Sequence, residues 1–224
     1  MKLSHISAAA LFVMLFTPAT RAQKTGEHET GEWTQESSSN GVAIYSRVRP
    51  GSPLKEYKGV GLIDAPTDVV YAVVEDRQAY PTFMPYTAES RVLKHERDSL
   101  LAYQRLDLPL MSGRDYTLRV HQVKKQSADG VSYRIRWEPA NEDGPAPKRG
   151  VVRVERCEGS WLLEPDGRNK TRATYLIYTD SGGTMPAFVE NYGGRIGIGK
   201  LFDAVRKQAK VPKYRTVNPS APQD

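Results

Sequence analysis

Apolar positions recur every second residue through most of the chain. In "VSYRIRWE", residues 131–138, Val131, Tyr133, Ile135 and Trp137 fall on one side of an extended strand, and Ser132, Arg134, Arg136 and Glu138 on the other. A strand with one dry side and one wet side belongs to an antiparallel sheet that is covered on a single face. The same period runs through "ESRVLKHE", "LLAYQRLDL", "RDYTLRVHQV", "GVVRVERCEGSWLLEP" and "TRATYLIYTD", with Asp, Gly and Pro turns between them. Two earlier strands, "GVAIYSRV" and "LKEYKGVGLI", are joined by a turn at Pro50-Gly51-Ser52-Pro53.

The period changes twice. In "DAPTDVVYAVVEDRQAY", Val69, Val70, Val73 and Val74 form one apolar stripe at helical spacing; Asp64 or Thr67 can cap the start, Pro66 suits the first turn and Pro81 ends the helix. The second helix closes the pattern, after "TDSGGTMPAFVENY". Gly193, Gly194, Gly197 and Gly199 crowd its middle, at about 1 kcal/mol of lost helix propensity each. Phe188, Val189, Tyr192 and Ile196 share one face, while Ile198, Leu201, Phe202, Val205 and Ala209 share another. A straight helix cannot bury both against one surface, so a bend or loosened turn is expected among residues 193–199. Bare backbone there also lets a ligand or the sheet approach closely.

The order is two strands, a short helix, about six strands and a long C-terminal helix. It predicts an α+β fold in which a curved antiparallel sheet wraps around the long helix and encloses a hydrophobic cavity. The domain is assigned to residues 33–210. The first 22 residues have Lys2, an apolar stretch from Ile6 to Phe16 and the small-residue exit Thr20-Arg21-Ala22, the pattern of a signal peptide cut after Ala22. Residues 23–32 form a flexible lead-in, with polar composition continuing to Ser39 and ending in a short helix, and residues 211–224 form a disordered tail. The mature chain is expected to be exported, periplasmic or secreted.

Charge and chemistry narrow the functions. Removing the leader takes away Lys2 and Arg21 and lowers the net charge from +6 to +4. Weak attraction to anionic membrane surfaces follows from that excess, but the basic residues are dispersed, which argues against nucleic acid. Cys157 is the only cysteine, so no internal disulfide forms and the core must hold the fold. Beyond the leader the histidines are His28, His95 and His121, none on a dry strand face. No HExxH, CxxC or GxSxG occurs, so neither a metal site nor a cofactor is expected.

Several segments together carry a resemblance: Gly113-Arg114-Asp115-Tyr116, "YPTFMPY" at 80–86, Gly159-Ser160-Trp161 and "TDSGGTMPAFVENY" before the last helix. Their order and spacing resemble the START domains of the Bet v 1-like helix-grip superfamily, over roughly residues 33–210. The resemblance implies one lipid or other apolar small molecule held between sheet and C-terminal helix. Two departures matter. Phe83 stands where many members have tryptophan, and Val120 stands where some sterol-binding relatives place an arginine, with Arg119 pointing the other way. Sterol is therefore not implied.

The residues expected to line the cavity are Tyr103, Arg114, Leu118, Tyr133, Trp137, Tyr175, Ile177, Phe188, Tyr192 and Ile196. Arg114 shares strand parity with Tyr116, Leu118 and Val120. A buried arginine needs a partner, so it holds either a structural acid or a ligand's polar head, and its place beside a turn favours structure. Trp161 reads as a strand-end plug. The reading is a non-catalytic, monomeric carrier for a lipid-like molecule, with access through movement of the last helix or of the "LDLPLMSG" loop. The alternative is a cyclase or hydrolase acting on a polyketide-like or aromatic substrate, for which Asp107, Arg114 and the tyrosines are the candidate groups. A basic module for nucleic acid or membrane ranks last.

Overall fold

The computed structural model describes residues 31–109, 111–182 and 187–215, with side chains other than those of 39 and 187–195. The expected signal peptide, most of the expected lead-in and residues 216–224 of the expected tail lie outside the described residues. The alternating segments form β2 (Val42–Val48), β3 (Lys55–Ile63), β4 (Thr87–His95), β5 (Leu100–Leu106), β6 (Gly113–Ser127), β7 (Gly130–Pro139), β9 (Arg156–Pro165) and β10 (Thr171–Asp180). One strand was not expected, β1 (Thr34–Ser39), where a lead-in or short helix was predicted, and β8 (Val151–Arg153) is a separate piece of a segment read as one strand. The helices are α1 (Thr67–Glu75), α2 (Tyr80–Phe83), α3 (Ala187–Gln208) and α4 (Pro212–Arg215).

The strands make one curved sheet in the order β1-β2-β3-β10-β9-β7-β6-β5-β4, with α3 across it. Its pairings are antiparallel except that β8 runs parallel to β6. The segment expected as one strand over 150–165 breaks at Val154. That residue is buried and donates its N–H to the Asp115 carbonyl, which turns the chain before β9 starts. The first hairpin joins the last strand through β3 and β10, so both ends of the domain meet in mid-sheet.

The valine stripe of α1 is buried as the spacing predicts. Its capping differs: Pro66 takes the N-cap position and no side chain caps it. Thr67 instead donates its hydroxyl to the Val131 carbonyl at 2.8 Å, and Asp68 accepts from the Tyr133 hydroxyl at 2.6 Å. These bonds fasten the helix start to β7.

α3 is helical without interruption through its glycines, so the loosened turn expected there is absent. Ile198, Phe202, Val205 and Ala209 are all buried, whereas Ile196 is 40 % exposed. The bare backbone that allows this packing lies on the sheet. A Cβ on Gly59 would sit 2.5 Å from Ile198 Cγ2 and 3.0 Å from Phe202, and one on Gly61 would sit 3.1 Å from the same ring. Arg206 fastens the helix end, donating to the carbonyls of Asn40 and Leu62 at 2.6 and 2.8 Å. Gly59→Ala is therefore expected to cost about 1–3 kcal/mol through overpacking, read as a lower urea midpoint; an unchanged midpoint would refute this account of the seat.

The domain extends past 210. Tyr214, in α4, is 2 % exposed and donates to Asp76 at 2.9 Å, and Lys213 pairs with the same carboxylate. Burial alone would lift the Asp76 carboxyl, but the hydrogen bonds from Lys213 and Tyr214 outweigh it and hold the group below its ordinary range. Residues 212–215, expected to belong to a disordered tail, are therefore part of the folded domain. Among the described residues no helix is long and apolar enough to cross a membrane.

Candidate functional site

Between the sheet and α3 lies a cavity of about 330 Å3. Its walls follow the two-residue period of the strands: Ala102, Gln104 and Leu106 from β5; Arg114, Tyr116, Leu118 and Val120 from β6; Ile135 and Trp137 from β7; and Tyr175, Ile177 and Thr179 from β10. α3 closes it with Gly197, Ile198 and Leu201, while Tyr80 and Met84 to Thr87 form its rim beside α2. An aromatic wall runs through it: Trp161 lies 4.7 Å from the Tyr175 ring and 5.4 Å from Phe202, and Trp137 lies 5.7 Å from Tyr175. Gly159 faces Trp137 across the ladder, and a Cβ there would fall 2.5 Å from the indole.

The polar groups are few and mostly engaged. Tyr116 donates to Gln104 Oε1 at 2.8 Å, and Tyr80 donates to the Val74 carbonyl at 2.5 Å. Burial raises the phenols of Tyr80, Tyr116 and Tyr175 above their ordinary value, so at neutral pH all three keep their protons. Burial also pushes the Cys157 thiol up to about 12, which leaves it a small apolar lining group rather than a nucleophile.

The structure brings together Arg114, Leu118, Trp137, Tyr175 and Ile177 of the expected lining set. Three others lie elsewhere. Tyr103 alternates with Ala102 and Gln104 and so faces the outer side of the sheet, where its hydroxyl donates to Asp115 at 3.0 Å. Tyr133 is on the concave side but under α1, with its ring stacked 4.0 Å from Tyr71. Ile196 points to solvent. The side chains of Phe188 and Tyr192 lie outside the described residues. Trp161 is wall rather than plug, 4 % exposed in mid-strand. Val120 lines the cavity and Arg119 points away to pair with Glu96 and Asp143, in line with their strand parity.

Tyr57, Tyr116, Val120, Ile135 and Trp161 were absent from the expected set. Strand parity with Arg114 and Trp137 identifies Tyr116, Val120 and Ile135; nothing comparable marks Tyr57. Asp107, an acid candidate for the enzyme reading, is exposed and paired with Arg105. His121 is exposed beside Glu138. Among the described residues no cluster of His, Cys, Asp or Glu could hold a metal ion.

A long antiparallel sheet gripping a C-terminal helix around an apolar cavity defines a helix-grip domain of the START type. Comparison with known proteins agrees. Residues 63–206 match the model of the family described as polyketide cyclase / dehydrase and lipid transport, and the chain belongs to that family. It is 30 % identical to an uncharacterised protein of Pseudomonas aeruginosa over 161 residues, 71 % of this chain and 78 % of the relative. It is 24 % identical to the phosphatidylcholine transfer protein of Mus musculus over 176 residues, 75 % of this chain and 78 % of that one. The crystal structure of a STAR-related lipid transfer protein fragment from Xanthomonas axonopodis superposes with a TM-score of 0.71 at 27 % identity, covering 80 % of this chain and 99 % of the fragment.

Proposed function

We propose that this protein is a non-catalytic carrier that holds one lipid or other apolar small molecule between its sheet and α3. The observation that carries the reading is the cavity, about 330 Å3 and walled chiefly by aliphatic and aromatic side chains. An engineered apolar cavity of about 150 Å3 already takes up benzene, so this one has room for a longer apolar group. Burying about twelve methylenes contributes roughly 10 kcal/mol gross, ample for useful affinity after the costs of association. The lipid transport in the family's description, and the relative named for phosphatidylcholine transfer, support the same class of ligand.

Access runs past the 107–112 loop or under α3, since Leu106, Leu108, Gly197 and Leu201 all border the cavity. The leader pattern supports an exported, periplasmic or secreted carrier, and the modest basic excess supports brief contact with anionic membrane surfaces. We take the working unit to be the monomer.

The family description also includes cyclases, which keeps catalysis as the second reading. The site favours the carrier. Among the described residues its lining has no carboxylate and no imidazole, and burial keeps the phenols of Tyr80, Tyr116 and Tyr175 protonated, so these offer hydroxyl groups but no ready base. Mass spectrometry of an organic extract, made from protein purified without detergent, tests the proposal. The expected result is a lipid-like compound at about one per chain, or uptake of an added fluorescent acyl probe at that ratio. Protein that neither carries nor exchanges any apolar ligand would overturn it.

A further inference from the structure

Three cations border the cavity and, among the described residues, no carboxylate does. Two of the three are compensated from outside the wall. Lys55 Nζ lies 2.7 Å from Glu36, and Arg77 makes a two-pronged pair with Glu75 at 2.7 and 3.1 Å. Arg114 differs. It is 6 % exposed, its Nη1 donates only to the Ser112 carbonyl, and its Nε is buried without a partner among the described residues. No acid among them lies within ion-pair distance of it.

A guanidinium remains charged at any pH the fold survives, and burying one without a counter-charge costs several kcal/mol. Its planar fork suits the two oxygens of a carboxylate or a phosphate. Along β6 from Arg114 the same face continues through Tyr116 and Leu118 to Val120, about 20 Å on at roughly 3.3 Å per residue. Among the described residues, the cavity thus has one cation without a counter-charge, at the start of a long apolar wall.

We infer that the preferred ligand is an anionic amphiphile, an oxyanion head on an apolar tail, whose head pairs with Arg114 while its tail lies along Leu118 and Val120 toward the aromatic wall. This rests on the carrier reading and gives it a ligand class: a fatty-acid-like carboxylate or an alkyl phosphate, in preference to a neutral lipid. The head supplies a counter-charge to Arg114 that no described residue provides, so the head contributes selectivity and the tail contributes most of the affinity.

Titration calorimetry with dodecanoate, dodecyl phosphate and dodecanol separates head from tail, since all three have one tail. At about pH 8 both acids are ionised. At least one anion is expected to bind wild-type protein about 100-fold more tightly than dodecanol, and which one does so distinguishes carboxylate from phosphate. Arg114→Gln, with its fold checked by circular dichroism, is expected to bring that anion down to the affinity of dodecanol and to leave dodecanol unchanged. Arg114→Lys is expected to keep part of the preference. Equal affinity of wild-type protein for all three overturns the head-group assignment and leaves the carrier reading standing. Failure of all three to bind wild-type protein also overturns the assignment of a single-tailed anionic amphiphile, while the carrier reading falls only if the organic extract and the acyl probe are negative as well. The head-group comparison uses wild-type protein alone, so a variant that misfolds does not remove the test.

Discussion

Replacing Asp115 with alanine is expected to remove about 3–5 kcal/mol of stability, the usual cost of stranding one partner of a buried ion pair. Asp115 is fully buried on the outer face of the sheet, where the 140–154 segment covers it. Its carboxylate accepts from Arg153 at 2.7 and 3.2 Å and from the Tyr103 hydroxyl at 3.0 Å. Burial, and then the bond to Asp115, push the Tyr103 phenol up to about 12. Around this centre Asn141 bridges the backbone of Thr117 and Val154 at 2.8 Å each way, and Arg153 reaches the Pro145 carbonyl. Alanine would leave the Tyr103 phenol in a dry site with no acceptor and the Arg153 guanidinium with the Pro145 carbonyl alone. For a domain of this size the loss corresponds to roughly 10 °C in Tm, measurable by calorimetry. Asp115→Asn keeps one acceptor oxygen and is expected to lose less. Removing both charges with Asp115→Leu and Arg153→Met together is expected to recover much of the loss, because the desolvation cost then disappears as well. A single alanine variant within 1 kcal/mol of wild type, about 2–4 °C, would show that the network contributes little.

The adjacent Arg114 and Asp115 show how far the sequence can be read. Neighbours on a strand point to opposite faces, so a dipeptide that looks like one feature is in fact two. Asp115 is structural and Arg114 faces the cavity; treating them as a unit assigns both to structure. The same parity separates Tyr103 from Ala102 and Gln104. Composition gives no warning, because tyrosine suits either face when one side of the sheet is cavity and the other is covered by a loop. That cover is itself invisible in the pattern: β8 is three residues long and pairs parallel with β6, and the turn at Val154 depends on the carbonyl of Asp115, distant in sequence.

Other elements were legible because their cause is local. The period-two segments became strands, and the valine stripe became the buried face of α1. β1 was not legible, since "TQESSS" has no apolar period; the strand exists because the edge of β2 offers it hydrogen bonds. The Trp33 ring just before it holds the chain under Arg47 and Lys58, at 4.4 and 4.3 Å. The glycines of α3 signalled close approach, but a Cβ on Gly197 or Gly199 meets nothing within 4 Å, and among the described residues tight contacts to α3 fall on Gly59 and Gly61 of β3, which the sequence presents as ordinary strand positions.

That displacement gives the second large prediction. Gly197 lies on the cavity wall, and a Cβ built there meets nothing within 4 Å. Helix propensity alone favours alanine over glycine by about 1 kcal/mol, so Gly197→Ala is expected to stabilise the fold by up to that amount and to bind ligand almost as before. Gly197→Trp is expected to fold as well, because its indole enters existing space, yet to lose about 100-fold or more in affinity for any acyl probe, since the ring takes the volume that the tail needs. Gly199 supplies the control: its Cβ also meets nothing, but it is not part of the wall, so Gly199→Trp should leave affinity unchanged. Gains in melting temperature at Gly197→Ala, with binding lost only at Gly197→Trp, would identify the glycine as a concession of helix stability to an open interior. Wild-type affinity in Gly197→Trp would place the ligand outside this cavity, because an apolar tail and an indole cannot share the same space.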